Sequence, residues 1–343
     1  HQPGPQRSSH WLKGAQNMKL YTFSKGNGER LGVQIGEDVL LDLDEDHRLR
    51  NGVGLAAFSS MQALITAGPE ALKAVRRAMD DPHASACARL ADVRVLPPLP
   101  RPNKIRDFSC YERHLKQATD GAARMLAKHS DDPDSAYLEM RKRFNLDSLP
   151  GPGWYEIPAY YYSDNTTVSG HDDTVTWPAY SSWPDYELEL AAIIGTPGKD
   201  IKPENAFDHI FGYTIFNDLS ARDAQFEAMS TGLGVAKGKD FEGSNVLGPC
   251  IVTKDEIPDP YALTMHARVN GEEWSRCYSR EARWRFPDCI AYASQSQMLY
   301  PGEIFCTGAA ADGCALEKER MLAKGDVVEL EIQPIGVLRT FIV

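Results

Sequence analysis

The stretch Asp185-Tyr-Glu187-Leu-Glu189-Leu-Ala-Ala-Ile-Ile-Gly195 decides how this chain is interpreted. It is a short apolar run that ends at a glycine, which predicts a β-strand. Side chains alternate between the two faces of a strand, so Glu187 and Glu189 share one face while Leu188 and Leu190 point into the core. Two neighbouring carboxylates repel each other unless a positive charge lies between them. The pair is therefore either a solvated polar strand face or part of a site for a divalent cation.

A second stretch, Phe211-Gly-Tyr-Thr-Ile-Phe-Asn-Asp218-Leu-Ser220-Ala-Arg222-Asp223-Ala-Gln225, joins an apolar strand to a polar strand end. Asp218 closes the predicted strand. Ser220 and Asp223 have the residue types of a capping box, which predicts that a helix begins here. A carboxylate at a strand end beside a helix start is well placed for a functional site. The alternative is that Asp218 or Ser220 only caps the helix.

Two further polar stretches can also be interpreted as either functional or purely structural. The segment Arg106-Asp107-Phe-Ser-Cys-Tyr-Glu-Arg-His114 places an aspartate at the end of a short strand predicted over 104–108. Its histidine lies near the start of a helix predicted over 111–128. The segment Lys237-Gly-Lys239-Asp-Phe-Glu-Gly243 is a glycine-bearing loop that precedes a strand. Considered alone, the histidine fits a structural or surface position, and the lysines fit an exposed basic loop.

Composition excludes several classes of protein. The 343 residues contain 37 Lys and Arg and 48 Asp and Glu, a net charge of −11, which disfavours binding to nucleic acid or to anionic lipid. No apolar run reaches the roughly 18 residues of a transmembrane helix. The seven cysteines are scattered without a Cys-x-x-Cys pair, so we expect neither a zinc site nor a disulfide framework. We expect reduced thiols and a cytoplasmic protein, with Cys110 a small buried side chain.

The pattern of strands and linkers predicts two domains. Residues 1–17 are polar and lack an apolar core, so we interpret them as the remnant of an expression tag, with Met18 as the native start. Residues 18–100 alternate like a small antiparallel meander followed by two helices. The proline-rich segment 96–102 predicts a stiff linker. Residues 103–343 contain many short strands and few helices, which predicts a mainly β (α+β) catalytic domain that bends or closes on itself. Within it, we predict that residues 131–165 form an ordered loop.

Together these stretches resemble the fumarylacetoacetate hydrolase superfamily, in its longer two-domain type. The matching elements, in order, are Arg-Asp-Phe…His, Glu-Leu-Glu-Leu-Ala…Ile-Gly, Tyr-Thr-Ile-Phe-Asn-Asp-Leu-Ser-Ala-Arg-Asp-x-Gln, Gly-Lys-x-Phe…Leu-Gly-Pro and Leu-Tyr-Pro-Gly-Glu-Ile-Phe-Cys-Thr-Gly. They cover the chain from about residue 103 to its end. The resemblance implies a mixed β-roll or barrel in the catalytic domain, a small N-terminal β domain and a homodimer.

The resemblance also implies roles for individual residues. It implies four metal ligands: Asp107, Glu187, Glu189 and Asp218. All four are hard oxygen donors, which favours Mg²⁺, or Ca²⁺ or Mn²⁺, over Zn²⁺. The remaining residues are implied in catalysis: His114 as the base, Glu317 as the carboxylate that orients it, and Lys239, Arg222 and Gln225 as contacts to the substrate or its oxyanion. The family commonly has Lys-Ser-Phe-Asp-Thr where this chain has Lys239-Asp-Phe-Glu-Gly243, which predicts altered substrate contacts.

Three functions remain open at this point. The first is metal-dependent hydrolysis of a C–C bond in a 1,3-diketo acid such as an acylpyruvate, with His114 activating water. The second keeps the metal and the enolate but is a lyase or isomerase: a 2-keto-acid decarboxylase, a 2-oxo-enoate hydratase or an oxaloacetate tautomerase. The third is a catalytically idle homologue that only binds a ligand or partner. Retention of both His114 and Glu317 favours the hydrolase, and retention of all four carboxylates disfavours the idle homologue. Both enzyme hypotheses predict a small anionic keto-acid substrate.

Overall fold

A computed structural model describes residues 17–26 and 28–343. The predicted tag remnant lies outside these residues apart from Asn17. The strands in the described chain are β1 (Lys19–Ser24), β2 (Glu29–Ile35), β3 (Val39–Asp42), β4 (Cys87–Arg89), β5 (Arg94–Val95), β6 (Ile105–Phe108), β7 (Tyr160–Ser163), β8 (Val168–Ser169), β9 (Thr174–Val175), β10 (Pro184–Asp185), β11 (Leu188–Ile194), β12 (Ile210–Asp218), β13 (Ser220–Ala221), β14 (Asn245–Thr253), β15 (Thr264–Val269), β16 (Glu272–Tyr278), β17 (Ile304–Cys306), β18 (Val327–Ile332) and β19 (Gly336–Ile342).

The α-helices in the same residues are α1 (Leu43–Asn51), α2 (Met61–Ala67), α3 (Pro69–Asp80), α4 (Glu112–Ala127), α5 (Pro133–Arg143), α6 (Arg222–Met229) and α7 (Phe286–Ala293). The predicted mainly β architecture with helices is confirmed. None of these helices is long and apolar enough to cross a bilayer.

The N-terminal region contains the predicted meander and the two predicted helices, α2 and α3, together with α1, which the sequence analysis did not predict. β1, β2 and β3 pair antiparallel in sequence order. Ser60 caps α2 by accepting from the Ala63 backbone N–H at 3.0 Å, and Pro69 opens α3, where its missing N–H is no loss. The apolar faces of both helices are buried, with Leu64 and Val75 fully covered. Burying each such side chain contributes about 1.5–3 kcal/mol.

One long sheet connects this region to the rest of the chain. Among the described residues, its strands follow the order β4-β3-β2-β1-β14-β12-β11-β17-β6-β7. β1 pairs antiparallel with β14, with Leu20 opposite Ile251, so the N-terminal meander extends the sheet that carries the acidic residues. The predicted division into domains at residues 100–103 stays a prediction.

A second sheet, ordered β16-β15-β18-β19-β9, covers the first. Asn270 and Gly271 form the predicted hairpin turn between β15 and β16, with φ of 51° and 82°, the positive values that a type I′ turn requires. Alternate residues of β18 are buried. Leu330 from this sheet and Ile215 from the long sheet belong to the same apolar cluster, so the core lies between the two sheets.

Strand pairing brings distant acidic residues to one place. β17 lies between β6, with which it pairs parallel, and β11, with which it pairs antiparallel. β11 in turn pairs with β12 so that Leu188 faces Asn217. The ends of β6, β11 and β12 therefore lie side by side. These ends carry Asp107, Glu189 and Asp218.

Two local predictions are wrong. The predicted capping box does not form: α6 begins after Ala221 without a side-chain cap. Ser220 is held in β13 and donates to the Asp218 carbonyl at 2.9 Å, while Asp223 accepts from Ser181 and Ser182. Residues 131–165 are not a loop throughout, because they contain α5 and β7. β7 pairs antiparallel with β6, with Tyr161 opposite Asp107.

Candidate metal centre and catalytic pair

Three carboxylates form a buried cluster at the strand ends. One oxygen each from Asp107, Glu189 and Asp218 lies within 4.8 Å of the other two. The exposed fraction of each residue is 2% or less. Each also has a second buried oxygen without a hydrogen-bond partner: Asp107 Oδ1, Glu189 Oε1 and Asp218 Oδ1. Buried acceptors are rarely left without a donor, so this cluster fits a cation that binds oxygen.

The electrostatics of the cluster agree with this interpretation. Burial, followed by the negative charge of Asp218, raises the pKa of Asp107 well above its usual range. Burial also raises the pKa of Glu189, and the charges of Asp107 and Asp218 raise it further. Carboxylates that repel one another in a buried site bind either protons or a cation. An all-oxygen ligand set favours Mg²⁺, Ca²⁺ or Mn²⁺.

The fourth predicted ligand, Glu187, lies beside the cluster and is bound by cationic side chains. The Lys239 ammonium donates to Glu187 at 2.7 Å and to Asp218 at 2.6 Å. Burial alone would raise the pKa of Glu187, but the charges of Lys239 and Arg222 outweigh it and hold the pKa well below the usual range. Burial disfavours the charged Lys239, yet Asp218 and Glu187 raise its pKa. The role of Glu187 as a ligand stays a prediction.

Arg222 is enclosed by acceptors. Its Nε donates to Asp185 Oδ2 at 2.8 Å, and its Nη1 donates to Glu187 Oε1 at 2.8 Å and to Gln225 Oε1 at 3.0 Å. Because the amide oxygen of Gln225 is occupied by Arg222, its NH₂ group remains the donor available to a ligand. Arg222 is 3% exposed, and its hydrogen bonds position Glu187 and Gln225. The predicted contact between Arg222 and a substrate stays a prediction.

His114 and Glu317 are brought together although 203 residues separate them. The His114 Nδ1 and Glu317 Oε1 are hydrogen-bonded. The Glu317 side chain is fully buried, and the His114 side chain is 12% exposed. His114 Nε2 lies 3.9 Å from Glu187 Oε1, so the ring spans the space between Glu317 and the acidic residues. A carboxylate on Nδ1 fixes the imidazole tautomer and leaves Nε2 as the base.

Close packing fixes this pair. His114 is in the first turn of α4, and the same helix meets the turn that carries Glu317 at Gly121. A Cβ atom at Gly121 would lie 2.1 Å from the Leu316 carbonyl oxygen, so only glycine permits this approach. The Asp312 backbone N–H donates to the second oxygen of Glu317. With its side-chain amide oriented to satisfy its neighbours, Gln117 also donates to that oxygen, at 2.9 Å.

Sequence reasoning missed two residues of this site. The Tyr161 hydroxyl donates to Asp107 at 2.9 Å and to Asp218 at 2.5 Å. Burial, followed by the charges of those two aspartates, raises its pKa well above the usual range. The run of three tyrosines at 160–162 was the available signal, because aromatic residues favour β-strands. Asp185 was part of the opening stretch but had no distinguishing pattern.

Comparison with known proteins identifies the family. Residues 104–343 match the model described as the C-terminal domain of fumarylacetoacetate (FAA) hydrolase. The chain therefore belongs to the fumarylacetoacetate hydrolase family, and the resemblance noted in the sequence is confirmed. Proteins that match the chain include an oxaloacetate tautomerase and a fumarylacetoacetate hydrolase, so members of the family are enzymes.

The curated relatives include oxaloacetate tautomerases. The chain is 37% identical over 182 residues to the mitochondrial oxaloacetate tautomerase fahd2 of Xenopus laevis, a match that covers 53% of this chain and 56% of that protein. It is 35% identical over 185 residues to the oxaloacetate tautomerase YisK of Bacillus subtilis, covering 53% and 60% respectively. The chain thus spans little more than half the length of the curated relatives it matches.

Solved structures share the fold over nearly the whole chain. A fumarylacetoacetate hydrolase from Exiguobacterium antarcticum superposes with a TM-score of 0.70 at 26% identity, covering 95% of this chain and 99% of that one. A maleylpyruvate hydrolase from Sphingobium sp. SYK-6, in complex with manganese (II) ion and pyruvate, superposes with a TM-score of 0.67 at 25% identity, covering 95% and 99%.

Proposed function

We propose that this protein is a divalent-metal-dependent hydrolase that cleaves a C–C bond in a 1,3-diketo acid of the acylpyruvate, fumarylpyruvate or fumarylacetoacetate type. The observation that carries the proposal is the His114–Glu317 pair, whose second ring nitrogen, Nε2, lies 3.9 Å from Glu187 beside the acidic cluster. A base in this position can act on a water molecule or on a substrate held at the cluster. Mg²⁺ as the resident ion, assembly as a homodimer and a cytoplasmic location belong to the same proposal. The ion rests on the all-oxygen ligand set, the homodimer on the family resemblance, and the location on the scattered cysteines.

The buried cluster supports the metal. Asp107, Glu189 and Asp218 would hold the ion, with Glu187 as the predicted fourth ligand. When bound, a divalent ion supplies a Lewis acid that polarises keto oxygens and stabilises negative charge on them. The related hydrolase with manganese and pyruvate supports both the ion and a 2-oxo-acid ligand.

The chain's own residues would carry the proton transfers. His114 Nε2 takes a proton from water, and Glu317 stabilises the imidazolium that forms. The resulting hydroxide attacks the carbonyl remote from the 2-oxo acid. The Gln225 NH₂ and the Lys239 ammonium stabilise the tetrahedral oxyanion as donors in a buried site. The C–C bond then breaks, the electron pair goes to the enolate, and His114 returns the proton to its carbon.

A second candidate, oxaloacetate tautomerisation, is favoured by the curated relatives of that name. In this case His114 would move a proton between the carbon next to the 2-oxo group and solvent, and the substrate would change between keto and enol forms. No water is consumed and no C–C bond breaks. The two candidates share the metal, the base and a small anionic keto acid.

A substrate panel separates them. Acetylpyruvate, fumarylpyruvate, fumarylacetoacetate and oxaloacetate would be incubated with Mg²⁺ and followed by NMR, for wild type and His114→Ala. The hydrolase proposal expects two carboxylic acid products from a diketo acid, with loss of turnover in EDTA and in His114→Ala. If the enzyme exchanges the keto and enol forms of oxaloacetate but cleaves none of the diketo acids, the hydrolase proposal is wrong and the tautomerase is favoured.

A further inference from the structure

A second group of ligand atoms lies next to the acidic cluster and has a different chemistry. His114, Cys314 and Glu317 each offer one donor atom, and these atoms lie within 4.8 Å of one another. The Cys314 thiol is 3.5 Å from Glu317 Oε1, and the same oxygen is hydrogen-bonded to His114 Nδ1. Cys314 is fully buried. No cysteine spacing in the sequence indicates this group, because its histidine comes from a different element 200 residues earlier.

The three side chains are held in place before any ion binds. Cys314 and Glu317 lie three residues apart, and Asp185 accepts from the backbone N–H groups of Ala315 at 2.8 Å and Leu316 at 3.3 Å. Packing of α4 at Gly121 fixes the histidine side of the group. A rigid set of three donors loses little conformational entropy when it binds an ion.

The donor types select the ion. Nitrogen, sulfur and one carboxylate oxygen form the mixed set that binds Zn²⁺, whereas Mg²⁺ and Ca²⁺ prefer oxygen ligands only. Asp185 and Glu187 lie nearby and are bound by two buried cations, Arg222 and Lys239.

We propose that His114, Cys314 and Glu317 form an inhibitory Zn²⁺ site that is separate from the all-oxygen metal centre. Binding would release the thiol proton of Cys314 and move the ring proton of His114 from Nδ1 to Nε2. An Nε2 that carries a proton cannot accept one, so zinc would switch off the base without displacing the catalytic ion. The site follows from the geometry alone, whereas its inhibitory effect rests on the proposed function.

The test compares wild type with Cys314→Ser and with the matched control Cys250→Ser, a buried thiol that donates to the Ile335 carbonyl elsewhere in the fold. Each protein is saturated with Mg²⁺ and titrated with Zn²⁺, and each rate is normalised to its own zinc-free rate. We expect the half-inhibiting Zn²⁺ concentration to rise by about 10- to 100-fold or more in Cys314→Ser. It should stay unchanged in Cys250→Ser. Equal inhibition of all three would overturn the proposal, because zinc would then act at the carboxylates.

A spectroscopic readout needs no substrate. Co²⁺ added to the Mg²⁺-saturated wild type should give the near-ultraviolet charge-transfer band of a cobalt–thiolate bond, absent in Cys314→Ser and retained in Cys250→Ser. If Cys314→Ser does not fold, the cobalt spectrum of the wild type is compared with that of Cys314→Ala instead. A wild type without this band refutes the zinc site. A band in a protein that turns over no keto acid would support the site while the proposed function fails.

Discussion

Replacing Asp185 by Asn tests how the candidate site is held together. Each contact to this carboxylate is from a donor: Arg222 Nε at 2.8 Å, and the backbone N–H groups of Tyr186 at 2.9 Å, Ala315 at 2.8 Å and Leu316 at 3.3 Å. An amide has one acceptor oxygen and one NH₂ group. In either orientation, Asn would point its NH₂ at N–H donors, so no rotation restores the contacts.

The burial of the Asp185–Arg222 ion pair determines how much stability Asp185→Asn should lose. Asp185 is fully buried and Arg222 is 3% exposed, so the variant removes one of the two buried carboxylates that bind this guanidinium and puts an amide in its place. Breaking a buried ion pair by removing one partner costs about 3–5 kcal/mol. At about 2 °C per kcal/mol for a large domain, we expect the Tm to fall by roughly 6–10 °C. Turnover should fall as well, because the turn that carries Glu317 loses one of its two backbone contacts to residue 185: those of Ala315 and Leu316 go to different carboxylate oxygens, and Asn keeps only one oxygen.

The surface pair Asp172–Arg339 provides a matched control. Arg339 donates to both oxygens of Asp172, but the two side chains are 42% and 40% exposed. Exposed pairs contribute about 0–1 kcal/mol, so Asp172→Asn should shift the Tm by about 2 °C at most. Thermal unfolding of both variants with Mg²⁺ present measures the difference. Equal Tm shifts in the two variants would refute the argument that burial makes Asp185 structurally decisive.

Three further predictions follow from the same geometry. Glu317→Gln should lower kcat by about 10²–10⁴-fold because the His114 tautomer is no longer fixed, whereas the exposed Glu319→Gln should not; equal kcat values for both would contradict the assigned pair. Stability without metal should fall as pH rises: the pKa values of buried Asp107 and Glu189 are raised, so the folded state keeps protons that the unfolded chain has lost. The Tm gain on adding Mg²⁺ should therefore be larger at about pH 8 than at about pH 5.5, and the reverse order would refute the cluster as the ion site. Gly121→Ala should destabilise by about 1–3 kcal/mol in urea unfolding, because its Cβ meets the Leu316 carbonyl; an increase in stability from helix propensity alone would show that α4 does not pack as closely as described.

Local sequence determined the elements and the residue types of the site. The alternation in β11 placed Glu187 and Glu189 together, Asn270-Gly271 fixed a hairpin, and Pro69 marked a helix start, because each depends on contacts within a few residues. Recognition of the motifs then added His114 and Glu317 to the list of candidates. Local patterns failed where a tertiary contact outweighed them: Ser220 has the type of a helix cap but bonds to Asp218 and Lys239 instead.

Only the tertiary structure decided which groups meet. Asp107 reaches Glu189 and Asp218 because β17 pairs with β6 on one side and with β11 on the other, and β17 and β6 are nearly 200 residues apart in sequence. The same pairing creates the edge on which β7 forms, and with it the contact of Tyr161 with two aspartates. The approach of Cys314 to His114 depends on the packing of α4 against a distant turn. Sequence patterns report the face and period of one segment, whereas register and packing between segments arise when the whole core is buried together.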